Sequence, residues 1–341
     1  MFGQKCSAKL YPVMRCDLIC YKRCWYLFPK AMDGRRMVSQ QGTFRWQDSP
    51  DYRSKHWHWQ DDCCRHGQES FYSLGAKVIL ACRNLDKAKS AQEEIIKASN
   101  NSNVSIVELD LASLESVRKC AEKINKEEER LDILINNAGI LACPRWETKD
   151  GFEMQLGTNH LGHFLFTNLL LDLIKKSAPA RIISVSAIAH VGADIHFDDL
   201  MLKKDYAPWK SYRQSKLANV LFSKELAKRL EGTSVTTYSL HPGLVHTELG
   251  RYMIGSYSFI VSTIVVYVVY PVLKFLFFKT SEQGAQTSIH CAVDEQAGLQ
   301  TGLYYSDCAV KKASSKANDT EMAKKLWEVS AELVGLEKKV D

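Results

Sequence analysis

The sequence predicts an α/β protein built on a doubly wound parallel sheet. From about residue 75 onwards, short apolar runs of strand length alternate with longer amphipathic runs of helical length, which is typical of repeated strand–helix–strand units. Of the 341 residues, 45% are hydrophobic and 25% are charged, which is the composition of an ordinary globular protein. Motifs rich in Asn, Gly and Pro follow several of the strands, at the sheet edge where ligands bind in such folds.

The elements of this sheet are expected in a regular order. Strands are predicted at residues 77–82, 104–109, 131–135, 181–185 and 235–240. Helices are predicted between them, at residues 85–98, 114–126, 152–176 and 212–230. Helices of this length between successive strands cover a parallel sheet on both of its faces.

Residues 1–72 do not follow this pattern. They hold six of the eleven cysteines and four of the seven tryptophans, and their apolar residues show no sustained period of two or 3.6. Charged residues interrupt every apolar run, so no signal peptide is recognised. Histidines and cysteines at residues 56–66 lack the Cys-x-x-Cys spacing of metal sites, and no metal is predicted. This segment is predicted to be disordered or foreign to the fold.

The charge distribution excludes one class of partner. Residues 1–72 carry 12 Lys/Arg against 7 Asp/Glu, whereas the rest of the chain carries 33 against 32. A nearly neutral main body does not offer the basic surface that nucleic acids require. The partner is therefore expected to be a small molecule. The sequence does not decide whether the chain forms an oligomer.

Tyr212 and Lys216 form the most suggestive pair in the chain. They lie four residues apart at the start of a predicted helix and so share one face. A phenol has a pKa of about 10, and a cation one turn away lowers that pKa by stabilising the phenolate. Such a pair can move a proton to or from an oxygen while a hydride moves at carbon. Pairs with this spacing also occur by chance on helix surfaces, so the context decides.

Three further motifs supply that context. The stretch from Asn136 to Gly139 follows a predicted strand, where a glycine lets the backbone approach a cofactor closely. Asn159 lies inside a predicted helix, where an Asn is unfavourable unless it has a partner, such as a bound water. Pro242 and Gly243 end another strand, as a rigid turn at a ligand-binding edge would.

With these residues in this order, the chain resembles the short-chain dehydrogenase/reductase family, and within it the microsomal-type retinol dehydrogenases. The resemblance covers about residues 74–336 and also rests on residues 75–83 (GAKVILACR), 159–164 (NHLGHF), 215–222 (SKLANVLF), 280–288 (TSEQGAQTS) and 325–327 (KLW). It implies a Rossmann-like domain over residues 73–336.

The resemblance also implies roles for single residues. Tyr212 would be the acid/base, Lys216 would bind the nicotinamide ribose, and Asn159 would hold a proton-relay water. The cofactor contacts that the family implies fall on Asn136, Ala138, Gly139, Tyr212, Lys216, Pro242, Gly243, Val245 and Thr247.

Arg83 predicts which nicotinamide cofactor is used. It follows the first predicted strand, at the place where a Rossmann-type unit meets the adenosine ribose. An acidic residue there favours NAD, whereas an arginine accommodates the 2′-phosphate of NADP. An ordinary surface arginine is the alternative. The family implies an adenine contact from Asp110, at the end of the next strand.

The family's Gly-rich loop has no counterpart where it is expected. The family opens with a strand and the loop Thr-Gly-x-x-x-Gly-x-Gly, about 18 residues before Gly75 here. Backbone N–H groups of such a loop hold a pyrophosphate. That position falls at residues 57–64 (WHWQDDCC), which contain no glycine and two carboxylates. The first strand and the loop are thus predicted to be missing or replaced, as in a truncated or alternatively spliced product or one with a wrong first exon.

The catalytic serine is also displaced. The family reads Asn-Val-Ser-Ser-x-Ala-His, whereas this chain has Ser184, Val185, Ser186 and Ala187 before Ile-Ala-His. The second serine, which contacts the substrate oxygen, is therefore Ala187. Ser186 lies one position away, and alternate strand residues face opposite sides. Ser186 can replace the missing hydroxyl only if the strand has already twisted there.

A long apolar run follows the Pro-Gly turn. Residues 252–273 contain no charge, and Lys274 separates them from the apolar residues 275–278. The run is long enough to cross a membrane, and an in-plane helix or an apolar cover over a lipid-sized pocket are the alternatives. We expect segment 252–278 to bind membrane lipid, and the resemblance implies the endoplasmic reticulum as its location.

These observations leave two functions open. The first is an NADP(H)-dependent oxidoreductase that interconverts an apolar alcohol and its aldehyde or ketone, such as retinol and retinal. The second is a catalytically impaired, membrane-associated relative that acts as a binding protein or is a truncated splice product. The displaced serine and the missing Gly-rich loop favour the second.

Overall fold

Parallel strands alternate with helices along the chain, as the sequence predicts. The structure is a computed structural model, and it describes residues 38–40, 43–45, 76–245 and 279–336. The strands are β1 (Val38–Gln40), β2 (Thr43–Arg45), β3 (Val78–Cys82), β4 (Val104–Glu108), β5 (Ile133–Asn136), β6 (Ala180–Val185), β7 (Val235–His241), β8 (Leu303–Ser306) and β9 (Ala309–Val310). The helices are α1 (Leu85–Ser99), α2 (Leu114–Glu127), α3 (Met154–Leu156), α4 (Gly162–Lys176), α5 (Pro208–Arg229), α6 (Ser281–Val293), α7 (Glu295–Gly298) and α8 (Thr320–Leu333).

The strands form three sheets in the described residues. β1 and β2 form an antiparallel pair. β3 and β4 form a parallel pair, with Val78 opposite Val104. The third sheet has the order β5-β6-β7-β8-β9 and is parallel except for β9. In the described part of the chain, no strand joins the β3–β4 pair to β5.

The doubly wound α/β class is thus confirmed, and the sequence placed most elements to within one or two residues. Two helices differ. Helix α5 begins at Pro208, one turn before Tyr212, because proline is favoured in a first helical turn. The helix predicted at 152–176 is interrupted by a π-helical turn, Gly157–Leu161, between α3 and α4.

Apolar side chains cover both faces of the five-stranded sheet. A large cluster lies between this sheet and helices α2, α4, α5 and α8, and it includes Phe164, Ile182 and Leu217. A second cluster, which includes Ile183 and Tyr238, lies on the opposite face under α6. Alternate residues of β6 thus enter different clusters, as the two-residue period of a strand requires. β6 is therefore buried along its whole length.

The C-terminal helix is locked onto the earlier part of the fold. The indole of Trp327 stacks on Phe222 at a centroid distance of 5.7 Å and meets Phe164 edge-on at 4.9 Å. The Arg118 guanidinium donates to the Val334 carbonyl at 2.6 Å. Residues on either side of 246–278 therefore share one core.

Several predicted features lie outside the described residues. They are most of segment 1–72, Thr247 and the apolar segment 252–278. Within the described residues, no helix is both long enough and apolar enough to cross a membrane.

Candidate active site

Tyr212 and Lys216 are buried where helix α5 passes the carboxyl end of β6. Each of the two side chains is about 95% covered. The Lys216 ammonium donates to the Val185 carbonyl at 3.1 Å, which anchors it to the end of the strand. The same nitrogen lies 5.7 Å from the centre of the Tyr212 ring. The predicted pair is therefore a buried pair and not a chance surface pair.

Burial controls the protonation of both groups. It raises the pKa of the Tyr212 phenol above its usual range, since the phenolate would lose its hydration. It lowers the pKa of Lys216 to about 8, because the ammonium form suffers the same loss. The expected lowering of the Tyr212 pKa by the nearby cation is thus reversed in this structure. An added positive charge beside the phenol would be needed to bring its pKa down.

Asn159 lies in the π-helical turn and joins three parts of the site. Its side-chain oxygen accepts from the Ile140 amide at 2.8 Å. Its side-chain nitrogen donates to the Ile140 carbonyl at 3.0 Å and to the Ser215 hydroxyl at 2.9 Å. The His163 ring lies 3.0 Å from the Asn159 backbone carbonyl. The side-chain donors are therefore fully used by protein groups, and only acceptor capacity is left for a water.

Gly139 closes this arrangement from the side of β5. A Cβ atom at Gly139 would lie 3.1 Å from the Asn159 side-chain oxygen and 3.5 Å from the Lys216 ammonium. The loop after β5 thus approaches Asn159 and Lys216 closely, as the motif predicts. At the start of the motif, the buried Asn136 amide donates to Thr167 at 2.9 Å, while its oxygen has no partner among the described residues.

The serine and alanine at the end of β6 face different surroundings. Ser186 is buried, and its hydroxyl donates to the Lys216 carbonyl at 2.6 Å. Ala187 has an extended backbone and is partly exposed. The Ser186 hydroxyl thus ties the strand to α5, and a catalytic role for it would require breaking this hydrogen bond. That position 187 is the one that lost its hydroxyl stays a prediction.

Arg83 and Asp110 follow β3 and β4, in the two-stranded sheet. Arg83 is exposed directly after β3, and the next residue, Asn84, caps helix α1. Asp110 accepts from the Ala112 amide at 3.1 Å and lies 3.7 Å from the Lys149 ammonium. Both residues lie at the carboxyl ends of parallel strands, as the predicted adenosine contacts require.

The Pro242-Gly243 turn follows β7 at the same edge. Gly243 has a φ of +94°, a conformation that suits glycine, and a Cβ there would overlap the Lys279 side chain at 2.6 Å. Val245 pairs with Lys279 in a short parallel bridge. Thr247, the remaining predicted contact, lies outside the described residues.

Sequence reasoning did not identify an apolar rim around this edge. It consists of exposed side chains after β6, at the start of α5 and after the Pro-Gly turn: Ile188 (55% exposed), Val191 (49%), Trp209 (45%) and Leu244 (51%). The Trp209 ring lies 6.0 Å from the Tyr212 ring. Arg213, next to Tyr212, donates to the Val191 carbonyl at 3.1 Å. These four apolar residues come from three separate segments of the chain, so no sequence pattern reveals them.

Ser215 lies in one of the sequence motifs, and its hydroxyl links helix α5 to the π-helical turn that carries Asn159. Its hydroxyl accepts from Asn159 and donates to the Tyr212 carbonyl at 2.8 Å. Ser215 and Asn159 are 56 positions apart in the sequence, so no local pattern reveals this contact.

The nicotinamide end of a dinucleotide fits these residues. Three features at this edge suit such a group: the close backbone approach at Gly139, the side-chain oxygen of Asn136, which has no partner among the described residues, and the left-handed turn at Gly243. The stretch predicted at the pyrophosphate, residues 57–64, lies outside the described residues and contains no glycine.

Known proteins agree with this geometry. A sequence model of the short chain dehydrogenase family matches residues 67–254. Retinol dehydrogenase 11 of Mus musculus is 47% identical over 77% of this chain and 79% of its own length, and retinol dehydrogenase 13 of Homo sapiens is 49% identical over 77% and 78%. A solved structure of an uncharacterised protein from Mycobacterium Paratuberculosis is 33% identical, with a TM-score of 0.60 over 78% of this chain and 88% of that one. The chain therefore belongs to the short-chain dehydrogenase family of oxidoreductases, which bind a nicotinamide cofactor.

Proposed function

We propose that this chain is an NADP(H)-dependent oxidoreductase that interconverts an apolar alcohol and its aldehyde or ketone. The observation that carries the proposal is the buried convergence of Gly139, Asn159, Tyr212 and Lys216 at one sheet edge. Nothing in the core packing requires a buried phenol beside a buried ammonium, and such groups are costly unless they serve a function.

The protein's own residues supply the proton transfer. When bound beside these residues, the cofactor would supply the hydride that the carbonyl carbon takes up. The Tyr212 hydroxyl then gives its proton to the carbonyl oxygen, so the alcohol forms and a phenolate is left. Lys216 would hold the nicotinamide ribose and stabilise that phenolate. In the oxidative direction Tyr212 accepts the alcohol proton, and an added positive charge on the oxidised nicotinamide favours the phenolate that this direction needs.

The proton leaves the site beside Asn159. Asn159 keeps one acceptor position on its side-chain oxygen, beyond the hydrogen bond from Ile140. A relay water would bind to this acceptor. A Lys216 pKa of about 8 suits the transfer, because this amine can both take up and release a proton near neutral pH.

Arg83 supports the choice of NADP. It is exposed and follows β3 immediately, and its guanidinium forms no ion pair with any of the residues that the structure describes. A guanidinium there can form paired hydrogen bonds with a ribose 2′-phosphate.

The substrate is proposed to be a retinoid or a long-chain aldehyde. The apolar rim of Ile188, Val191, Trp209 and Leu244 offers contact area to a long apolar molecule beside Tyr212. The names of the relatives, retinol dehydrogenases 11 and 13, point to the same class of substrate. The uncharged run at 252–273 supports membrane association, and we propose the endoplasmic reticulum as the location.

The direct test replaces single tyrosines. NADPH oxidation with retinal should be lost on Tyr212→Phe in any version of the chain that has turnover. Tyr206→Phe is the matched control, because Tyr206 is also partly buried but donates to the Cys143 carbonyl at 2.8 Å. Turnover that survives Tyr212→Phe and falls with Tyr206→Phe would refute the assignment.

A catalytically impaired binding protein is the second candidate. Ala187 carries no hydroxyl, and the Ser186 hydroxyl is engaged by Lys216. Retinoid binding without turnover in a chain with an intact cofactor site would favour this candidate.

A further inference from the structure

Gln155 is a fully buried glutamine that the proton transfer described above does not use. It lies in α3, one helical turn before Asn159, and its side chain is completely covered. Its side-chain oxygen accepts from the Ala142 amide at 2.8 Å. Its side-chain nitrogen donates to the Pro208 carbonyl at 2.9 Å and to the Tyr206 hydroxyl at 3.2 Å. Both N–H groups of the side chain are therefore used by the protein, and neither is left for a substrate or cofactor.

These hydrogen bonds join the loop after β5 to the first turn of α5. Ala142 lies in that loop, three residues after Gly139, and Pro208 is the first residue of α5. In an α-helix the Pro208 carbonyl also accepts from the amide four residues later, which is that of Tyr212. Gln155 therefore holds the same carbonyl that anchors the backbone of Tyr212.

Asn159 makes a second connection between the same two elements. Its side-chain amide bonds both backbone groups of Ile140 in the loop and the Ser215 hydroxyl on α5. The Ser215 hydroxyl in turn donates to the Tyr212 carbonyl at 2.8 Å. The turn of α5 that carries Tyr212 is thus tied to the loop at its start by Gln155 and at its end by Asn159.

The backbone of Ala142 indicates that the loop is held in a costly conformation. Ala142 is buried and has a φ of +48°, which residues other than glycine adopt rarely. Such conformations persist only where the surrounding structure fixes them, and they are concentrated at functional sites. The hydrogen bond from the Ala142 amide to Gln155 is one of the contacts that fix this conformation.

We infer that Gln155 is a positioning residue, which sets the distance between the Tyr212 phenol and the loop that carries Gly139. The inference rests on the proposed function, in which Tyr212 transfers the proton, and it adds a residue to that site. Without Gln155, the start of α5 could shift relative to the loop. A shift of about 1 Å in a reacting group can cost on the order of a hundredfold in rate.

The test uses the full chain labelled with fluorotyrosine, in which each tyrosine gives its own fluorine NMR signal. The Tyr212 signal is the one that is absent in Tyr212→Phe. Gln155→Met keeps the length of the side chain and removes its hydrogen bonds. We expect this variant to shift or broaden the signals of Tyr212 and of Tyr206, which loses a hydrogen bond directly, and to leave most others in place. The measurement does not require turnover.

Gln214→Met is the matched control. Gln214 is also buried, lies on α5 itself, and forms two backbone hydrogen bonds, from the His196 amide at 2.9 Å and to the Leu200 carbonyl at 2.8 Å. It therefore ties α5 to a different loop. We expect a similar loss of thermal stability in this variant, with a much smaller change in the Tyr212 signal.

Kinetics separate positioning from a general loss of structure. In any version of the chain that has turnover, Gln155→Met should lower kcat about tenfold or more. It should leave KM for retinal and Kd for NADPH within about twofold, because the contacts that bind them are kept. Gln214→Met should leave kcat within about twofold.

The possible outcomes distinguish this inference from the proposed function. If Gln155→Met does not fold, Gln155→Asn replaces it, because an amide one methylene shorter cannot reach Ala142 and Pro208 together. A Tyr212 signal that stays in place in the folded Gln155 variant, or that moves as far in Gln214→Met, would overturn the inference. So would an unchanged kcat in Gln155→Met. Turnover that survives Tyr212→Phe would instead refute the proposed function.

Discussion

The two sheets that should serve the two ends of one cofactor differ in how well they are supported. In the five-stranded sheet, β6 is buried throughout and has an apolar cluster on each face. In the β3–β4 sheet, Leu80 is the only buried residue of β3 and belongs to a small separate cluster on one face, while Val107 of β4 reaches the large cluster on the other. The nicotinamide half of the site is thus built into the core. The adenosine half has fewer buried residues, and no described strand joins it to β5.

The largest expected effect comes from completing the weaker half. We expect the chain as it stands to be nearly inactive on retinal with NADPH, because residues 57–64 offer no Gly-rich backbone to the pyrophosphate. Replacing residues 1–72 by the first strand, Gly-rich loop and helix of a retinol dehydrogenase should raise kcat/KM by about a thousandfold or more. Two or three hydrogen bonds to a charged group, worth about 1.5–3 kcal/mol each, account for this gain.

The replacement of residues 1–72 is tested by one control variant and would be contradicted by one result. Tyr212→Phe in the completed chain should remove the restored activity. Robust turnover by the unaltered chain would mean that the two halves are equally competent, and that residues 1–72 hold the cofactor in another way.

The next effect tests the stronger half. Ala187→Ser in the completed chain should raise kcat about a hundredfold, the usual value of one hydrogen-bond donor to a developing oxyanion. Adding Ser186→Ala to the completed chain with Ala187→Ser should leave kcat nearly unchanged. It should lower the free energy of unfolding by about 1 kcal/mol, because the Ser186 hydroxyl donates a hydrogen bond to the Lys216 carbonyl. If Ser186→Ala instead abolishes turnover in the chain that keeps Ala187, then Ser186 is the substrate-oxygen donor.

A smaller effect is expected for cofactor choice at the edge of β3. Binding of NADPH should exceed that of NADH about tenfold or more, and Arg83→Asp should invert this preference through repulsion of the 2′-phosphate. Lys89→Asp, which places the same charge change on the exposed side of α1, is the control and should not invert it. Titration of both cofactors by fluorescence measures the ratio. Equal affinities in the unaltered protein would refute the role of Arg83.

The smallest effect is a dependence of stability on pH in the nicotinamide half. Burial lowers the pKa of Lys216 to about 8, against about 10.5 in the unfolded chain. Between these values the unfolded chain binds a proton that the folded chain does not, so the free energy of unfolding should rise with pH. Lys216→Met should reduce that rise by on the order of 1 kcal/mol.

Denaturant titrations from pH 8 to 10.5 measure the difference. Lys224→Met is the matched control on the same helix, since Lys224 is less buried and its pKa is lowered by burial as well. Lys224→Met should also reduce the rise of the unfolding free energy with pH, but by less than Lys216→Met does. Equal slopes for the unaltered chain and for Lys216→Met would show that Lys216 is not desolvated in the folded protein.

Local sequence patterns predicted most of the fold but only part of the candidate site. The strands at 104–108, 180–185 and 235–241 were predictable because apolar runs and helix starts are local signals. The π-helical turn at Asn159 was not, since one extra residue in a turn hardly disturbs a 3.6-residue period. Helix α6 could have been placed, because Thr280 and Gln283 form a capping box.

The side-chain environment explains what the sequence missed in the site. The spacing of Tyr212 and Lys216 predicted their shared face, but it also suggested a lowered phenol pKa. The opposite holds, because desolvation depends on residues from β6 and the loop after β5 that the spacing does not reveal. Contacts such as Asn159 with Ser215 join distant parts of the chain and needed the fold.

The short parallel bridge between Val245 and Lys279 has a consequence for how this protein can evolve. A segment whose ends are already held together can change its length at little cost, because each doubling of a loop adds only about 0.6 kcal/mol of closure entropy. Insertions, deletions and changes of composition within 246–278 would leave the register of β7 and β8 intact. Selection could therefore reshape this segment for new substrates or new lipids while the proton-transfer residues stay fixed.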